Sequence, residues 1–303
     1  MIFPSGSRHW VVYCLLPILI AAWQVARAST EEDITVNRLT TTQGTIAYEL
    51  QGSGPLVLLL PGLGDLRQSY RFLAPKLAEA GYRVASVDLP GHGDSGTDWP
   101  DYQTATVAEG MLALLDELGA ESATVVGNSF SAGVATWMAT ERPERVNRIV
   151  MIGPFVRDYG KPPLMMRMTM GVLFNGPWKV RSWAWYHSTL FTGATPADYE
   201  AYQRDLKANL SEPGRFQAVK AMIDRNDAAV ERRLDQVKQP SLVIMGSKDP
   251  DYDDAKAEAE WISQRLNGEM AMIDGAGHYP QAERPEETFA ILRDFLNTAD
   301  RAD

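Results

Sequence analysis

Three glycine-flanked segments carry residues suited to acyl transfer: Gly127-Asn128-Ser129-Phe130-Ser131, Gly246-Ser247-Lys248-Asp249-Pro250 and Gly275-Ala276-Gly277-His278. A serine hydroxyl is a weak nucleophile until a base takes its proton, and an imidazole serves as that base once a carboxylate fixes its orientation. Ser129 is therefore the candidate nucleophile, His278 the candidate base and Asp249 the orienting acid. The Gly-x-Ser-x-Gly spacing that exposes a serine at a strained strand-to-helix turn is kept except at its last position, where Ser131 replaces glycine. The competing use of Ser129 is as a helix cap. Asp251, Asp253 and Asp254 are alternatives for the acid, although they also suit the cap of a helix expected from Ala255. His92 reads as structural, in the turn Leu89-Pro90-Gly91-His92-Gly93 that Asp88 would support.

The tetrahedral intermediate also needs donors for its oxyanion, and backbone amides can supply them. Pro61-Gly62-Leu63-Gly64 allows a sharp turn that aims the Leu63 N–H inward, and Phe130 offers a second N–H at the start of the helix that follows the nucleophile. Leu63 and Phe130 are the expected oxyanion hole. This chemistry requires no metal and no organic cofactor.

Residues this far apart meet only if strand ends bring them together. The hydropathy pattern predicts an opening hairpin over 34–40 and 45–50, then strands over 56–60, 82–87, 123–127, 146–152, 241–246 and 270–274. Helices are predicted between them over 69–80, 107–118, 129–140, 255–266 and 285–296. Strand–helix alternation of this kind builds an α/β fold with a mostly parallel central sheet. From about 155 to 235 only helices are predicted, over 164–170, 178–190, 196–209 and 215–225, so this region reads as a helical cap inserted before the chain returns to the same sheet. The candidate residues fall just beyond strand ends, where open parallel sheets form their sites.

Pro61-Gly62-Leu63-Gly64, the run from Asp88 to Gly96, the Gly127–Ser131 elbow, Asp249 and Gly277-His278 together resemble the alpha/beta-hydrolase superfamily, in its serine-nucleophile branch with a helical cap. The resemblance covers nearly the whole chain beyond the leader. It implies a serine carboxylesterase that cleaves an ester of a small or medium apolar substrate through an acyl-enzyme. Four alternatives stay open: a carbon–carbon bond hydrolase, a cofactor-independent haloperoxidase-like enzyme, an interfacial lipase, and a non-catalytic ligand-binding homologue. Ser129 counts against relatives that use an Asp nucleophile. The Gly-Asn-Ser-Phe elbow resembles that of carbon–carbon hydrolases, which more often continue with Gly-Gly and place Trp after the histidine; here Ser131, Ala132 and Tyr279 stand there. Met165, Met166, Met168 and Met170, followed by Trp178, Trp183, Trp185 and Tyr186, are expected either to line an adaptable apolar chamber or to bury the cap against the sheet.

With 303 residues, 45% of them hydrophobic, the chain has material for a sizeable core. Its net charge of -10, without a long basic run, argues against a nucleic-acid partner. The single cysteine, Cys14, excludes an internal disulfide framework and a cysteine-based zinc site. Arg8 and His9 precede an apolar run over 10–23, and Ala26-Arg27-Ala28 sets small residues two apart. Residues 1–28 are therefore expected to be a signal peptide and 29–303 a secreted or periplasmic hydrolase domain, with a new N-terminus at or near Ser29 readable by terminal peptide analysis. An uncleaved membrane anchor is the alternative, although the run is shorter than the roughly 20 residues a spanning helix needs.

Overall fold

Leu56–Leu60 is a strand with every residue buried, and its alternation sends Leu56, Leu58 and Leu60 into one apolar cluster and Val57 and Leu59 into another. A strand buried on both faces must lie within a sheet covered above and below. The computed structural model, which describes residues 35–299, has this architecture. Eight strands form one sheet: β1 (Val36–Thr40), β2 (Thr45–Gln51), β3 (Leu56–Leu60), β4 (Arg83–Val87), β5 (Ala123–Asn128), β6 (Val146–Ile152), β7 (Ser241–Gly246) and β8 (Glu269–Ile273). Their order across the sheet is β1-β2-β4-β3-β5-β6-β7-β8. The β1–β2 and β2–β4 pairs are antiparallel and all others parallel. β7 pairs with β6, so the chain does return to the same sheet after its helical excursion.

The helices are α1 (Ala74–Glu79), α2 (Thr104–Glu117), α3 (Phe130–Glu141), α4 (Leu164–Asn175), α5 (Lys179–Thr189), α6 (Tyr199–Ser211), α7 (Arg215–Ile223), α8 (Asp227–Glu231), α9 (Ala255–Leu266), α10 (Pro280–Glu283) and α11 (Pro285–Ala299). Met111 and Leu114 of α2, Val134 and Met138 of α3 and Ile262 of α9 fill one side of the sheet. Leu77 of α1 and Leu292 and Phe295 of α11 fill the other. Helices α4 to α8 form the cap between β6 and β7, where the described residues contain no strand.

Several boundaries differ from the sequence reading. The helix expected over 69–80 is split into a 3-10 turn at Arg67–Tyr70 and α1, whose second residue is Pro75. Proline lacks the N–H of a helix interior and suits a first turn, which sets the break. The first cap helix runs on past 170 to Asn175 and stops before Gly176. The short helix α10 directly after the histidine loop was not expected. The leader expected over 1–28 lies outside the described residues, among which no helix is long and apolar enough to cross a membrane.

Candidate active site

Ser129 sits between β5 and α3 with φ 53° and ψ -115°, a backbone conformation that a non-glycine residue adopts only where its surroundings impose it. The strand and helix meet so closely that a Cβ at Gly127 would lie 2.2 Å from the Ser131 carbonyl oxygen, which explains the glycine at the head of the elbow. The Ser129 N–H donates to the Ile152 carbonyl at the end of β6, at 2.9 Å. Ser129 occupies the N-cap position of α3, where its carbonyl accepts from the Ala132 N–H at 3.1 Å, but its side chain makes no capping hydrogen bond.

Asp249 follows β7 and His278 follows β8, and the two meet: the His278 Nδ1–H donates to Asp249 Oδ2 at 2.8 Å, with both residues almost fully buried. Gly153 lets them approach, because a Cβ there would lie 3.1 Å from His278 Nδ1 and 3.3 Å from Asp249 Oδ2. Asp251 is a second carboxylate on the same nitrogen, 3.6 Å away. It also accepts a hydrogen bond at 2.9 Å from the Tyr186 hydroxyl of α5, so the cap reaches directly to the acid side of the histidine. Burial works against a charged imidazole, but Asp249 and Asp251 outweigh it and raise the His278 pKa from 6.5 to about 9.

The Ser129 hydroxyl forms no hydrogen bond to the imidazole among the described residues. Such contacts are commonly longer in unliganded enzymes and tighten when substrate arrives. Asn128, fully buried, connects the two loops instead: its Nδ2 donates to the Ile152 carbonyl at 2.9 Å and to the His278 carbonyl at 3.3 Å. Asp249, Asp251 and His278 also bring donor atoms within 4.8 Å of one another, a spacing compatible with a cation.

Leu63 lies in the loop after β3 and Phe130 opens α3, and neither amide donates a hydrogen bond among the described residues. Two departures from the family pattern turn out to be one feature. The Ser131 hydroxyl, where glycine is usual, donates to the carbonyl of Pro61, which stands where histidine is more often found, and so ties α3 to the Leu63 loop. His92 holds the same loop from below: Nε2 accepts from the Gly64 N–H at 3.0 Å while Nδ1–H donates to the Pro90 carbonyl at 2.9 Å. Burial lowers the His92 pKa to about 4, so the ring remains neutral and keeps this tautomer at ordinary pH. The structural assignment of His92 and the supporting role of Asp88 agree with the geometry, since Asp88 accepts from the Arg67 and Asp94 amides at 2.9 Å each.

Further residues, of which only Tyr279 was noted in the sequence, complete the surroundings. Glu283 of α10 accepts from the Gly277 N–H at 2.9 Å and the Gly193 N–H at 2.8 Å, clamping the histidine loop to the cap connection. Tyr279 is buried edge-on to His278, with ring centroids 5.3 Å apart. Asp65, fully buried behind the Leu63 loop, accepts from the hydroxyl of Tyr202 in α6, and His187 of α5 lies 3.6 Å from it. The expected apolar chamber of methionines and tryptophans is corrected: Met165, Met166, Met168, Trp178 and Trp185 are exposed. Trp183 packs inward with Leu66 and Phe174, and its Nε1–H donates to the Gly64 carbonyl at 2.9 Å. A helix can turn only one stripe toward its neighbours, and the sequence alone does not say which.

An eight-stranded, mostly parallel sheet with a helical cap, a strained serine at the β5–α3 elbow and an Asp–His pair beyond β7 and β8 define an alpha/beta hydrolase fold. The alpha/beta hydrolase fold family matches residues 55–285, and the chain belongs to it. The fold and its relatives support hydrolysis of an ester or similar bond in a small organic substrate. The chain is 32% identical over 268 residues to the 2-hydroxy-6-oxo-6-phenylhexa-2,4-dienoate hydrolase of Comamonas testosteroni, covering 83% of this chain and 91% of that one. It is 28% identical over 249 residues to the pimeloyl-(acyl-carrier protein) methyl ester esterase of Neisseria meningitidis, covering 79% and 92%. A bromoperoxidase from Bacillus anthracis superposes with a TM-score of 0.74 at 24% identity, covering 88% and 100%, a likeness of fold.

The position of His278 between two carboxylates carries a pH prediction. Only the neutral imidazole can take a proton, so kcat/KM should rise with pH through an acid limb displaced above the ordinary histidine value of 6.5 toward about 9. The same pair stabilises the fold below pH 6.5, where histidine is charged folded or unfolded, and this contribution is lost as pH rises through about 9. Asp251→Asn removes one of the raising charges and should move the limb to lower pH while turnover at the plateau survives. A limb that stays in place in Asp251→Asn would leave the shift to Asp249 and the more weakly acting Glu283.

Proposed function

We propose that this protein is a serine carboxylesterase acting on an ester of a small or medium apolar substrate. Ser129 Oγ attacks the ester carbonyl while His278 Nε2 takes the hydroxyl proton, and the Leu63 and Phe130 amides stabilise the oxyanion. Asp249 holds the imidazole by Nδ1 and balances its charge as it becomes an imidazolium. Collapse of the intermediate breaks the bond to the alkoxy oxygen, and His278 returns the proton to the leaving alcohol. Water, deprotonated by the same ring, then attacks the acyl-enzyme and frees the acid and Ser129. The observation that carries this reading is the 2.8 Å Asp249–His278 pair beside the positive-φ serine. The ester-cleaving relative from Neisseria meningitidis supports it.

A second reading has its own support. The relative from Comamonas testosteroni is named for a vinylogous diketone acid rather than an ester. The Gly127-Asn128-Ser129-Phe130 elbow resembles carbon–carbon hydrolases. In that reading the bond broken after attack lies between the carbonyl carbon and its neighbour. Initial rates on matched p-nitrophenyl esters of increasing acyl length, beside a ring-fission ketone, separate the two. The esterase reading expects kcat/KM to rise by up to about fourfold per methylene while apolar surface is available, from about 0.8 kcal/mol per buried CH2. Turnover of the ketone alone would replace the ester assignment with carbon–carbon hydrolysis, and no turnover of either would remove both readings.

A further inference from the structure

Helix α4 is apolar on two opposite faces. Phe174, with Met170 and Leu173, packs inward against Trp183 and Phe216, while Leu164, Met165, Met168 and Val172 form an outward stripe at i, i+1, i+4 and i+8. Met165 is 80% exposed and Leu164 70%, whereas a helix at a protein surface ordinarily turns polar residues to water. Trp178 extends the stripe, since its indole N–H donates to the Val172 carbonyl at 2.9 Å. All eight exposed large hydrophobic residues among the described residues fall between Tyr159 and Trp185, so the feature is a single region rather than scattered surface positions.

The charge pattern of this region is the reverse of the rest of the chain. The sequence holds 39 acidic residues against 29 Lys and Arg, yet none of the acids lies between Asp158 and Asp198. That stretch contains Lys161, Arg167, Lys179 and Arg181. Lys161, Arg167 and Arg181 are exposed, and they enter no ion pair among the described residues. An apolar stripe edged by cations, with tryptophan beside it, matches a surface that dips into the interface of an anionic bilayer. An acidic protein partner would leave the exposed leucine, methionine and valine stripe without a matching apolar layer.

We propose that the outward face of α4, with Trp178, docks this protein on an anionic phospholipid membrane. The cap is thereby the membrane-facing side: α5, which follows α4, reaches the site through Trp183 at Gly64 and Tyr186 at Asp251. Docking does not depend on the reaction proposed for Ser129. Hydrogen–deuterium exchange of the full chain, read peptide by peptide with and without vesicles of phosphatidylcholine and phosphatidylglycerol, tests it. Peptides within 164–185 should become protected on the mixed vesicles, with binding on the order of tenfold to hundredfold weaker on phosphatidylcholine alone. Met165→Glu with Met168→Glu should abolish that protection and leave turnover of a soluble ester unchanged, because both side chains point to solvent. Protection confined to other segments would overturn the proposal. Exchange of 164–185 that does not change on adding vesicles would do the same, and protection that grows with protein concentration in the absence of lipid would assign the face to a second copy.

Discussion

Ser129→Ala is expected to lower kcat on the best ester by at least about 10³-fold while leaving the fold intact. The substitution removes one oxygen from a half-buried position and deletes no core contact, and the side chain makes no cap hydrogen bond whose loss would unravel α3. Alanine should not abolish binding, so KM should change far less than kcat. His278→Ala should cost a similar factor, since nucleophile and base act as one unit and their losses do not add. Asp249→Asn should cost less: the ring would lose its charged partner, but Asp251 stands 3.6 Å from the same nitrogen and can take over part of its orientation. Comparison of kcat for variants matched by circular dichroism checks all three. Near-native kcat in Ser129→Ala would remove the covalent mechanism, and equal losses in Asp249→Asn and Asp251→Asn would make the acid a shared function.

The largest stability effect should come from a residue outside the chemistry. Arg67 is buried and donates to Asp88, to Glu49 at 2.8 Å and to Asp94 at 2.9 Å, and Asp88 has no exposed surface. Burial opposes the guanidinium charge, while Asp88 and Glu49 hold it strongly protonated. Arg67→Leu would leave the Asp88 carboxylate buried without its cation, a change that typically costs about 3–5 kcal/mol. For a chain of this size that corresponds to a fall in Tm of roughly 6–20 °C. Thermal unfolding at neutral pH measures it, and Arg67→Leu combined with Asp88→Asn should recover part of the loss because the stranded charge is gone. A single variant as stable as the parent would mean that Asp88 is satisfied by the Arg67 and Asp94 amides alone.

Much of this molecule was legible in the sequence because its elements repeat one local rule. Five apolar residues in a row at 56–60, bounded by Gly54-Pro55 and Pro61-Gly62, read as an interior strand, and the glycines at 127, 246 and 277 mark places where another backbone passes within about 2.0–2.3 Å of a missing Cβ. The order of the elements then places Ser129, Asp249 and His278 just beyond the carboxyl ends of β5, β7 and β8. Contacts between segments distant in sequence were not legible. Nothing local says that Ser131 donates to Pro61, that Tyr186 reaches Asp251, or that Glu283 receives the amides of Gly277 and Gly193. The outward methionines of α4 show the same limit from the other side. Their composition suits a pocket as well as a surface, and only packing of Phe174 and Trp183 on Leu66 decides which stripe turns inward.

The most direct measurement of the central claim is labelling by a fluorophosphonate, which forms a stable adduct only with an activated serine. After incubation at alkaline pH, where the His278 ring is neutral, peptide mass analysis should place one adduct on Ser129, with formation slowed by a competing ester and lost in His278→Ala. Quantitative recovery of unmodified Ser129, or an adduct on another serine that persists in Ser129→Ala, would contradict the account.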